Sequence, residues 1–392
     1  MRTAALGDIA AINPSAPAVV WTDGSRHVAF VPMAAVSEDG VLVSAEDRTV
    51  ADVSGSHTYF ERGDILLAKI TPCFENGKAA LVEALPYEIG FGSTEFHVIR
   101  CGPEVLPRYL FHHLRSPAFR ATAAHAMTGT AGQKRVPAAF LRRCRVLLPA
   151  LGEQLRIAAL LDKVDAIRRR RGETVARVEE LARSAFLHMF GHPASNPKRW
   201  PVRPLGELAL IVGGGTPSRD KASYFDGSIY WASSKDMQGE VLRKTQEHIT
   251  AEGLASSAAK LVPAGSLLVV VKSKILAHRL PVLLAEVPVC FSQDLKAILP
   301  QGLLLARYLA RHMRVGQAAL LHRARGANTE GLTLEHLRSY GVMMPTSGLM
   351  HRFEEVEVRL TALIDRMSQG SRQAEELLTS IAHRDPAWSL RQ

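Results

Sequence analysis

The chain has 392 residues, of which 47% are hydrophobic and 22% are charged. This composition excludes the disordered and collagen-like classes, and the length predicts two or three domains, each able to bury a core. Lys and Arg total 48 against 38 Asp and Glu, which gives a formal net charge of +10. Such an excess favours an anionic partner, with nucleic acid as the leading candidate.

The cysteines and the apolar segments bear on metal content and location. Cys73, Cys101, Cys144 and Cys290 are scattered, with no CxxC pair, so we expect reduced thiols rather than a zinc site or disulfide framework. Met1–Asn13 lacks the apolar stretch of a signal peptide, and no window approaches an uninterrupted apolar membrane span. The sequence therefore predicts a soluble, cytoplasmic protein with no bound metal and no membrane contact.

An internal repeat organises the chain. Landmark segments of the first half return in the same order in the second half, at offsets of 196 to 202 residues. The matched pairs are Leu6–Ala10 with Leu205–Ala209, Gly63–Leu66 with Gly265–Leu268, Arg108–Leu110 with Arg307–Leu309, and Val146–Pro149 with Val342–Pro345. A tandem duplication explains this order, because the changes in offset fall in loops, where insertions cost little.

Each copy begins with short β-rich segments separated by Gly and Pro. Phe60–Ile70 and Leu261–Lys272 are predicted strands, and Asn76-Gly77 is a typical hairpin turn. Arg108–Met127 and Ala306–His322 have helical spacing. Each copy is therefore expected to be a mixed α/β (α+β) domain.

A long amphipathic helix follows each copy, predicted over Glu153–Met189 and Met350–His383. Its apolar residues recur at alternating three- and four-residue steps, as in the seam of a coiled coil. The seam residues are Ile157, Leu160, Val164, Ile167, Val178 and Leu181 in the first helix, and Phe353, Val356, Leu360, Leu363, Leu377 and Ile381 in the second. The shared heptad register allows the two helices to pair with each other. Antiparallel pairing is expected, because parallel pairing would crowd the two domains together. The alternative is that each helix docks only on its own domain.

The positive charge is concentrated in two stretches. Val105–Gly152 and Leu295–Thr329 contain no Asp or Glu but many arginines, which is typical of a phosphate-contacting surface in each domain. The alternative is a solvated helix face whose charge is balanced by acids elsewhere in the fold. A third basic run, Arg168–Arg171, lies within the first long helix, where it either contacts phosphate or stays in solvent.

Polar loops between strands are the expected place for contacts with DNA bases and phosphates. The Gly-rich stretch Gly213–Arg219 is expected to be a flexible turn, since no GK[ST] motif follows it. The candidate DNA-binding residues are Lys69, Thr71, Asn76, Lys78, Gln133, Lys134, Arg135, Thr216, Ser218, Arg219, Ser234, Lys235, Lys272, Lys274, Arg323, Arg325 and Asn328.

Catalysis has little support in the sequence, and we predict no catalytic residue. Asp294-Leu295-Lys296 has the D-x-K form found in metal nucleases, with Asp64 or Glu286 as a conceivable second acid. In the other copy the aligned residues, Glu95–His97, lack the lysine. A single-chain nuclease and a stand-alone bipartite DNA-binding regulator are the alternatives to a DNA-recognition subunit.

Several motifs carry a resemblance to a known family. They are Gly63–Leu66 running into Lys69–Lys78, Pro149 followed by Glu153-Gln154, and, in the second copy, Gly214–Ser218, Tyr230-Trp231 and Ser292–Leu295. With these motifs and the repeated layout, the chain resembles the specificity subunit of Type I restriction-modification systems. The resemblance implies two tandem target-recognition domains joined by two long antiparallel coiled-coil helices, with pseudo-twofold internal symmetry.

The same resemblance implies the domain limits and the partners. Target-recognition domains are expected at 1–149 and 205–346, spacer helices at 150–190 and 347–384, a linker at 191–204 and a tail at 385–392. The implied partners are double-stranded DNA, two methyltransferase subunits and restriction/translocase subunits. S-adenosylmethionine, ATP and Mg²⁺ would be bound by those partners, with no cofactor bound by this chain.

Overall fold

The computed structural model describes residues 2–53, 57–130, 132–324 and 331–384, with side chains described up to Met367. It divides into two compact units, which are Met1–Glu173 with Ser368–Gln392, and Thr174–Met367. No helix among the described residues is long and apolar enough to cross a membrane.

The elements of the first half alternate short strands with short helices before one long helix. In chain order they are β1 (Arg2–Ala5), α1 (Leu6–Ile9), β2 (Ala10–Ile12), β3 (His27–Val31), β4 (Glu46–Thr49), α2 (Val50–Val53), β5 (Thr58–Glu61), β6 (Ile65–Ala68), β7 (Ala79–Leu81), β8 (Ile89–Gly92), β9 (Phe96–Cys101), α3 (Pro107–Arg115), α4 (Pro117–His125), β10 (Thr128–Thr130), β11 (Gln133–Arg135), α5 (Ala138–Arg143), β12 (Arg145–Leu148) and α6 (Leu151–Phe190).

The second half has a similar order of elements. They are β13 (Val202–Pro204), α7 (Leu205–Leu208), β14 (Ala209–Gly213), β15 (Ile229–Ala232), β16 (Val241–Leu242), β17 (Glu247–Ile249), α8 (Ala251–Ala255), β18 (Leu267–Val270), β19 (Val282–Ala285), β20 (Cys290–Phe291), β21 (Leu295–Pro300), α9 (Leu303–Val315), α10 (Gln317–Ala324), α11 (Leu334–Arg338), β22 (Gly341–Met343) and α12 (Ser347–Arg384). Compared with the first half, it has an additional strand, β16, and no counterpart of β5, β10 or β11 among its described residues. The mixed α/β class predicted from the sequence is confirmed.

The sheets of the two halves have matching topologies. The order β2-β9-β6-β7 in the first half corresponds to β14-β21-β18-β19 in the second, where β16 adds a fifth strand. A second sheet has the order β4-β3-β8-β5 in one half and β17-β15-β20 in the other. In both second sheets the central pair is parallel, β3 with β8 and β15 with β20. The apolar strands β6 and β18 are buried along their whole length and form the centre of each core.

Equivalent side chains make equivalent contacts in the two halves. The Tyr109 hydroxyl donates to the carbonyl of Leu147 at 2.9 Å, and the Tyr308 hydroxyl donates to that of Met343 at 2.7 Å. The β1–β12 ladder likewise has its counterpart in β13–β22. A Cβ on Gly7 would lie 3.2 Å from the Cβ of an arginine on α5, and a Cβ on Gly206 would meet an arginine of α11 at the same distance. These matched contacts support the internal repeat.

The predicted strands and short helices are interrupted by turns. The strand expected over Phe60–Ile70 is two strands, because Gly63 turns the chain with φ +91°. Within Leu261–Lys272 only β18 is a strand, since Gly265 (φ +90°) precedes it in a turn. The first predicted helix divides into α3 and α4, where Ser116 caps the second helix by accepting from Phe119 N. Gly316 divides the equivalent helix into α9 and α10.

The two long helices are observed close to their predicted limits, as α6 and α12. The C-terminal end of α6 packs on the start of α12, with the Phe186 and Phe190 rings 5.6 and 5.3 Å from that of Phe353. A contact between the end of one helix and the start of the other is expected when the two helices run antiparallel. Phe186 also lies 5.8 Å from Tyr308 of α9. The alternative, in which each helix docks only on its own domain, therefore does not hold.

The buried face of α6 differs from the predicted seam. Ile157 and Val178 are buried, but Leu160, Ile167 and Leu181 are 41%, 44% and 56% exposed. The buried positions near the helix end are instead Val178, Ala182, Phe186 and Phe190. Successive four-residue steps spread these side chains over a wide stripe of the helix surface, which is typical of a helix that packs on a globular domain rather than along a narrow coiled-coil seam. Val164, Val356, Leu360 and Leu363 are half-buried, while the side chains of Leu377 and Ile381 lie outside the described residues.

A buried amide fastens α6 to the first domain. Gln154 is fully buried, and its Oε1 accepts from Leu106 N at 2.8 Å. Its Nε2 donates to the carbonyls of Glu104 and Pro149, both at 2.9 Å. One side chain therefore satisfies three backbone groups where α6 begins.

Ion pairs extend this docking. On α3, His112 Nε2 lies 2.9 Å from Asp162, and Arg115 donates to Asp165 at 3.0 Å. Both acids belong to α6. Arg115 also donates to the carbonyl of Glu38 at 3.2 Å, which connects the loop after β3 to the same site.

The second domain uses a more deeply buried network. Arg311 of α9 donates to Glu357 of α12 and to Glu240, both at 2.7 Å. The side chains of Arg311 and Glu357 are only 5% and 7% exposed. Burial raises the pKa of the Glu357 carboxyl, and it lowers the pKa of the neighbouring Arg314 guanidinium. Each charge therefore depends on its partners, because an unpaired charge in this environment is costly.

Replacing Gln154 with alanine should lower the free energy of unfolding by about 2 to 3 kcal/mol, since three backbone groups lose their partner in a buried site. The matched control is Glu153→Ala, which removes only an exposed pair with Arg156 and should cost less than about 1 kcal/mol. Urea unfolding measures both. Equal losses in the two variants would show that the amide does not fasten the helix.

Arg311→Met should cost about 3 kcal/mol or more, because it leaves the Glu357 carboxylate buried without its partner. The double variant with Glu357→Met should recover most of this loss, since an apolar pair of similar volume needs no hydrogen bonds. Arg203→Met is the control, as it removes only an exposed pair with Glu207. A single variant no less stable than this control would contradict the buried-network interpretation.

Candidate nucleic-acid interface

Three segments of the first unit meet at one edge of the domain. The loop after β6 is bonded to the start of β9 through Lys69 N and the carbonyl of Glu95, at 2.9 Å. It is bonded to β11 through the Thr71 hydroxyl, which donates to the carbonyl of Lys134 at 2.9 Å. The candidates Lys69, Thr71, Gln133, Lys134 and Arg135 are therefore brought together.

These candidates differ in their freedom to contact DNA. Arg135 forms a two-pronged ion pair with Glu95, with Nη2–Oε1 at 2.7 Å and Nε–Oε2 at 2.9 Å. The hydrogen bonds from Arg135 lower the pKa of the Glu95 carboxyl. Arg135 is thus used to hold β11 in place, while Gln133 and Lys134 are exposed.

Asn76 and Lys78 lie further along the same loop. Asn76 donates to Glu38 Oε1 at 2.7 Å, and Lys78 Nζ lies 3.4 Å from the carbonyl of Met33. Both residues connect this loop to the segment after β3. Asn76 is exposed, and Lys78 is half-buried.

The second unit repeats this edge. Val271 N donates to the carbonyl of Asp294 at 2.9 Å and Leu332 N donates to the carbonyl of Val271 at 2.8 Å. Lys272 and Lys274 follow at once and are exposed. Arg323 is exposed and donates to Ser339 Oγ at 3.1 Å. Arg325 and Asn328 lie outside the described residues.

The Gly-rich stretch is not a flexible turn. Gly215 N donates to the carbonyl of Phe291 at 2.9 Å, and Trp231 Nε1 donates to the carbonyl of Gly215 at 3.0 Å. A Cβ on Gly214 would lie 2.3 Å from that same Phe291 oxygen. Glycine is therefore required by close backbone approach. The Thr216 hydroxyl donates to the side chain of Gln293.

The other candidates of the second unit occupy nearby loops. Arg219 pairs with Glu247 at 2.6 and 2.8 Å and lies 4.1 Å above the ring of Phe225. Ser218 Oγ lies 3.4 Å from the Asp220 carboxylate. Ser234 is half-buried and Lys235 exposed, in a short 3₁₀ helix after β15. Of these, Lys235 has the most freedom to contact phosphate.

Many of the described arginines in the two acid-free stretches are paired with acids rather than free on the surface. Arg115, Arg307, Arg311 and Arg314 are paired with acids from the long helices or from Glu240. The alternative, balance by acids elsewhere in the fold, applies to these arginines. Of the run Arg168–Arg171, Arg168 pairs with Asp39 at 3.2 Å.

The two acids suggested for a nuclease site are engaged in ion pairs. Asp64 is 2% exposed and accepts from Arg100 at 2.7 Å, while Glu286 accepts from Arg243 at 2.6 Å. Over the described ranges, no three His, Cys, Asp or Glu side chains come together as a metal site. Neither Asp64 nor Glu286 is therefore free to act as the second acid of a nuclease site beside Asp294 and Lys296.

Sequence reasoning missed Glu95 and His97 as positioning residues. His97 Nε2 lies 2.7 Å from the carbonyl of Val136, directly after β11. Burial lowers the pKa of His97, so its neutral form is favoured. The available signal was the alignment of Glu95–His97 with Asp294–Lys296, which marks the equivalent position in both domains.

Comparisons with known proteins find similar sequences among Type I specificity subunits. Residues 197–348 match the family model for the Type I restriction modification DNA specificity domain. The chain is 39% identical over 162 residues to the Type I restriction enzyme EcoEI specificity subunit of Escherichia coli, covering 41% of this chain and 27% of that protein. It is 42% identical over 152 residues to the EcoAI specificity subunit of Escherichia coli, covering 38% and 25%. The chain thus spans about a quarter of the length of these relatives.

A solved structure shares the fold over nearly the whole chain. The Type I restriction-modification system S subunit from M. genitalium superimposes with a TM-score of 0.52, covering 97% of this chain and 94% of that one, at 12% identity. The likeness extends the fold comparison to the first half, which the family model does not cover. The predicted resemblance to Type I specificity subunits is confirmed by the match of residues 197–348 to the DNA specificity domain and by the two relatives, and the first half shares the fold.

Proposed function

We propose that this chain is the non-catalytic DNA sequence-recognition subunit of a Type I restriction-modification complex. The observation that carries the proposal is the match of residues 197–348 to the specificity domain family. The matching sheet topology of the first half extends the same role to the first domain. The domain limits in this proposal are recognition domains at 1–149 and 205–346, spacers at 150–190 and 347–384, a linker at 191–204 and a tail at 385–392.

Each domain would read one half of a bipartite DNA site. The edges of the two domains share their backbone hydrogen bonds. Their side chains differ, with Lys69, Thr71 and Lys134 in the first domain and a different set, including Lys272 and Lys274, in the second. Base recognition depends on such side chains. The two half-sites are therefore expected to differ in sequence.

The long helices would act as a spacer of fixed length. With 40 and 38 residues, they measure roughly 60 Å at about 1.5 Å per residue. Rigid helices fastened by Gln154 and the Arg311 network would keep the domains at a set distance. Two such domains can reach successive major grooves, about 34 Å apart.

The chemistry would be supplied by partner subunits. Two methyltransferase subunits would modify adenine with S-adenosylmethionine, and restriction/translocase subunits would use ATP and Mg²⁺. The ion-paired state of Asp64 and Glu286 supports a chain without catalytic residues. Co-expression with a neighbouring methyltransferase should yield a stable complex. Sequence-specific DNA binding without any partner would favour a stand-alone regulator, and cleavage by the chain with Mg²⁺ alone, lost in Asp294→Ala, would favour a nuclease.

Removing one heptad from each long helix should shorten the gap between the methylated half-sites by about three base pairs. The deletions are Arg169–Val175 in α6 and Arg366–Arg372 in α12. Seven residues correspond to about 10 Å of helix, and one base pair to about 3.4 Å of DNA. Genome-wide mapping of modified adenines measures the gap.

The length-matched control replaces the same two heptads with alanine-rich heptads. It removes the same arginines but keeps the helix length, so the gap should not change. A gap that stays constant in the deletion variant, while both half-sites are still modified, would contradict the spacer role.

A further inference from the structure

Strands β10 and β11 form a two-stranded ribbon whose side chains are mostly exposed and polar. They pair in antiparallel register, with Thr130 opposite Gln133 and Gly129 opposite Lys134. Thr128, Gly129, Thr130, Gln133 and Lys134 are all exposed, and none of these residues is apolar. In contrast, β6 and β8 of the same unit are buried along their whole length. The ribbon therefore contributes little to the core.

The base of the ribbon is nevertheless held firmly. Thr71 bonds to both backbone groups of Lys134, accepting from its N–H at 3.2 Å and donating to its carbonyl at 2.9 Å. Arg135 is clamped by Glu95, and His97 lies 2.7 Å from the carbonyl of Val136. A polar segment that is rigidly anchored yet exposed is suited to presenting side chains to a partner.

The two faces of the ribbon differ. Because side chains alternate along a strand, Thr128, Thr130 and Gln133 share one face, and Lys134 lies on the other. Gly129 faces Lys134, and a Cβ there would lie 2.6 Å from the carbonyl of Gln133. Its φ of +131° also disfavours other residues. One face thus carries hydroxyl and amide groups together with Arg135, which lies opposite Thr128 and is paired with Glu95. The other face carries a single cation beside a position without a side chain.

This arrangement matches the major groove of DNA. The groove is about 12 Å wide and admits a two-stranded ribbon. An amide presents a donor and an acceptor together, which fits the edge of adenine, while a lysine interacts with phosphate without reading sequence. Acidic side chains are absent from the described residues of the ribbon, as an anionic partner requires.

We propose that the β10–β11 ribbon enters the major groove of the half-site read by the first domain, with Gln133 as the specificity-determining side chain. The inference rests on the proposed function, which it deepens by assigning the element that reads bases. Lys134 contributes affinity through phosphate, and Thr71, Glu95 and His97 position the ribbon.

The test is a selection from DNA randomised in both half-sites, with the full chain in complex with its methyltransferase partners. Gln133→Ala should reduce discrimination at one base pair of one half-site by about tenfold or more. The preference at the other half-site should not change, which also verifies that the variant is folded. Lys134→Ala should weaken binding to all sequences alike and lower the salt slope by about one.

The matched control is Gln301→Ala, an exposed glutamine at the end of β21 away from the second domain's edge. It should leave both half-site preferences intact. If the wild-type complex selects no sequence, the proposed function fails. If the wild type selects a bipartite site and Gln133→Ala keeps every preference, or loses both half-sites equally, the ribbon inference is overturned while the proposed function stands.

Discussion

The attachment of the long helices to the domains is the constraint on which the rest of the structure depends. Each helix carries polar groups that are buried only because a domain supplies their partners. Gln154 satisfies three backbone groups at the start of α6, and Glu357 of α12 is buried against Arg311. Apolar contacts alone permit sliding along a helix, whereas buried polar groups penalise every register but one. A fixed register is what a spacer of defined length needs.

This constraint also explains the distribution of charge. The arginines of α3 and α9 occur in stretches without acids, yet several of them face Asp165, Glu354 or Glu357 on the long helices. Exposed lysines such as Lys134 of β11, Lys235 of the short 3₁₀ helix after β15 and Lys272 after β18 lie outside these pairs. Many of the arginines thus hold the helices to the domains, and net charge alone overstates the cationic surface available to an anionic partner.

The sequence was sufficient to predict the repeat and the two long helices, but it was not sufficient to predict the side-chain contacts. The repeat predicted matching domains, and apolar periodicity located α6 and α12 within three residues of their ends. The buried face of α6 differs from the predicted seam because a heptad pattern assumes that the partner is another helix. Phe186 of α6 packs on Tyr308, which belongs to the second domain. The partner of Arg311 could not be predicted, since Glu240 and Glu357 are far from it in sequence. The β10–β11 ribbon has three-residue strands, too short for a period-two pattern, although Gly129 and Gly132 marked a turn.

The proposed function requires that two dissimilar domains on one chain each read a different part of a single DNA site. Mapping of modified adenines across the genome, in cells with this chain and in cells lacking it, tests that claim most directly. We expect a bipartite motif with two different halves and a constant gap, and we expect this motif to be lost when the chain is removed. A motif without a gap, or one that persists without this chain, would contradict it.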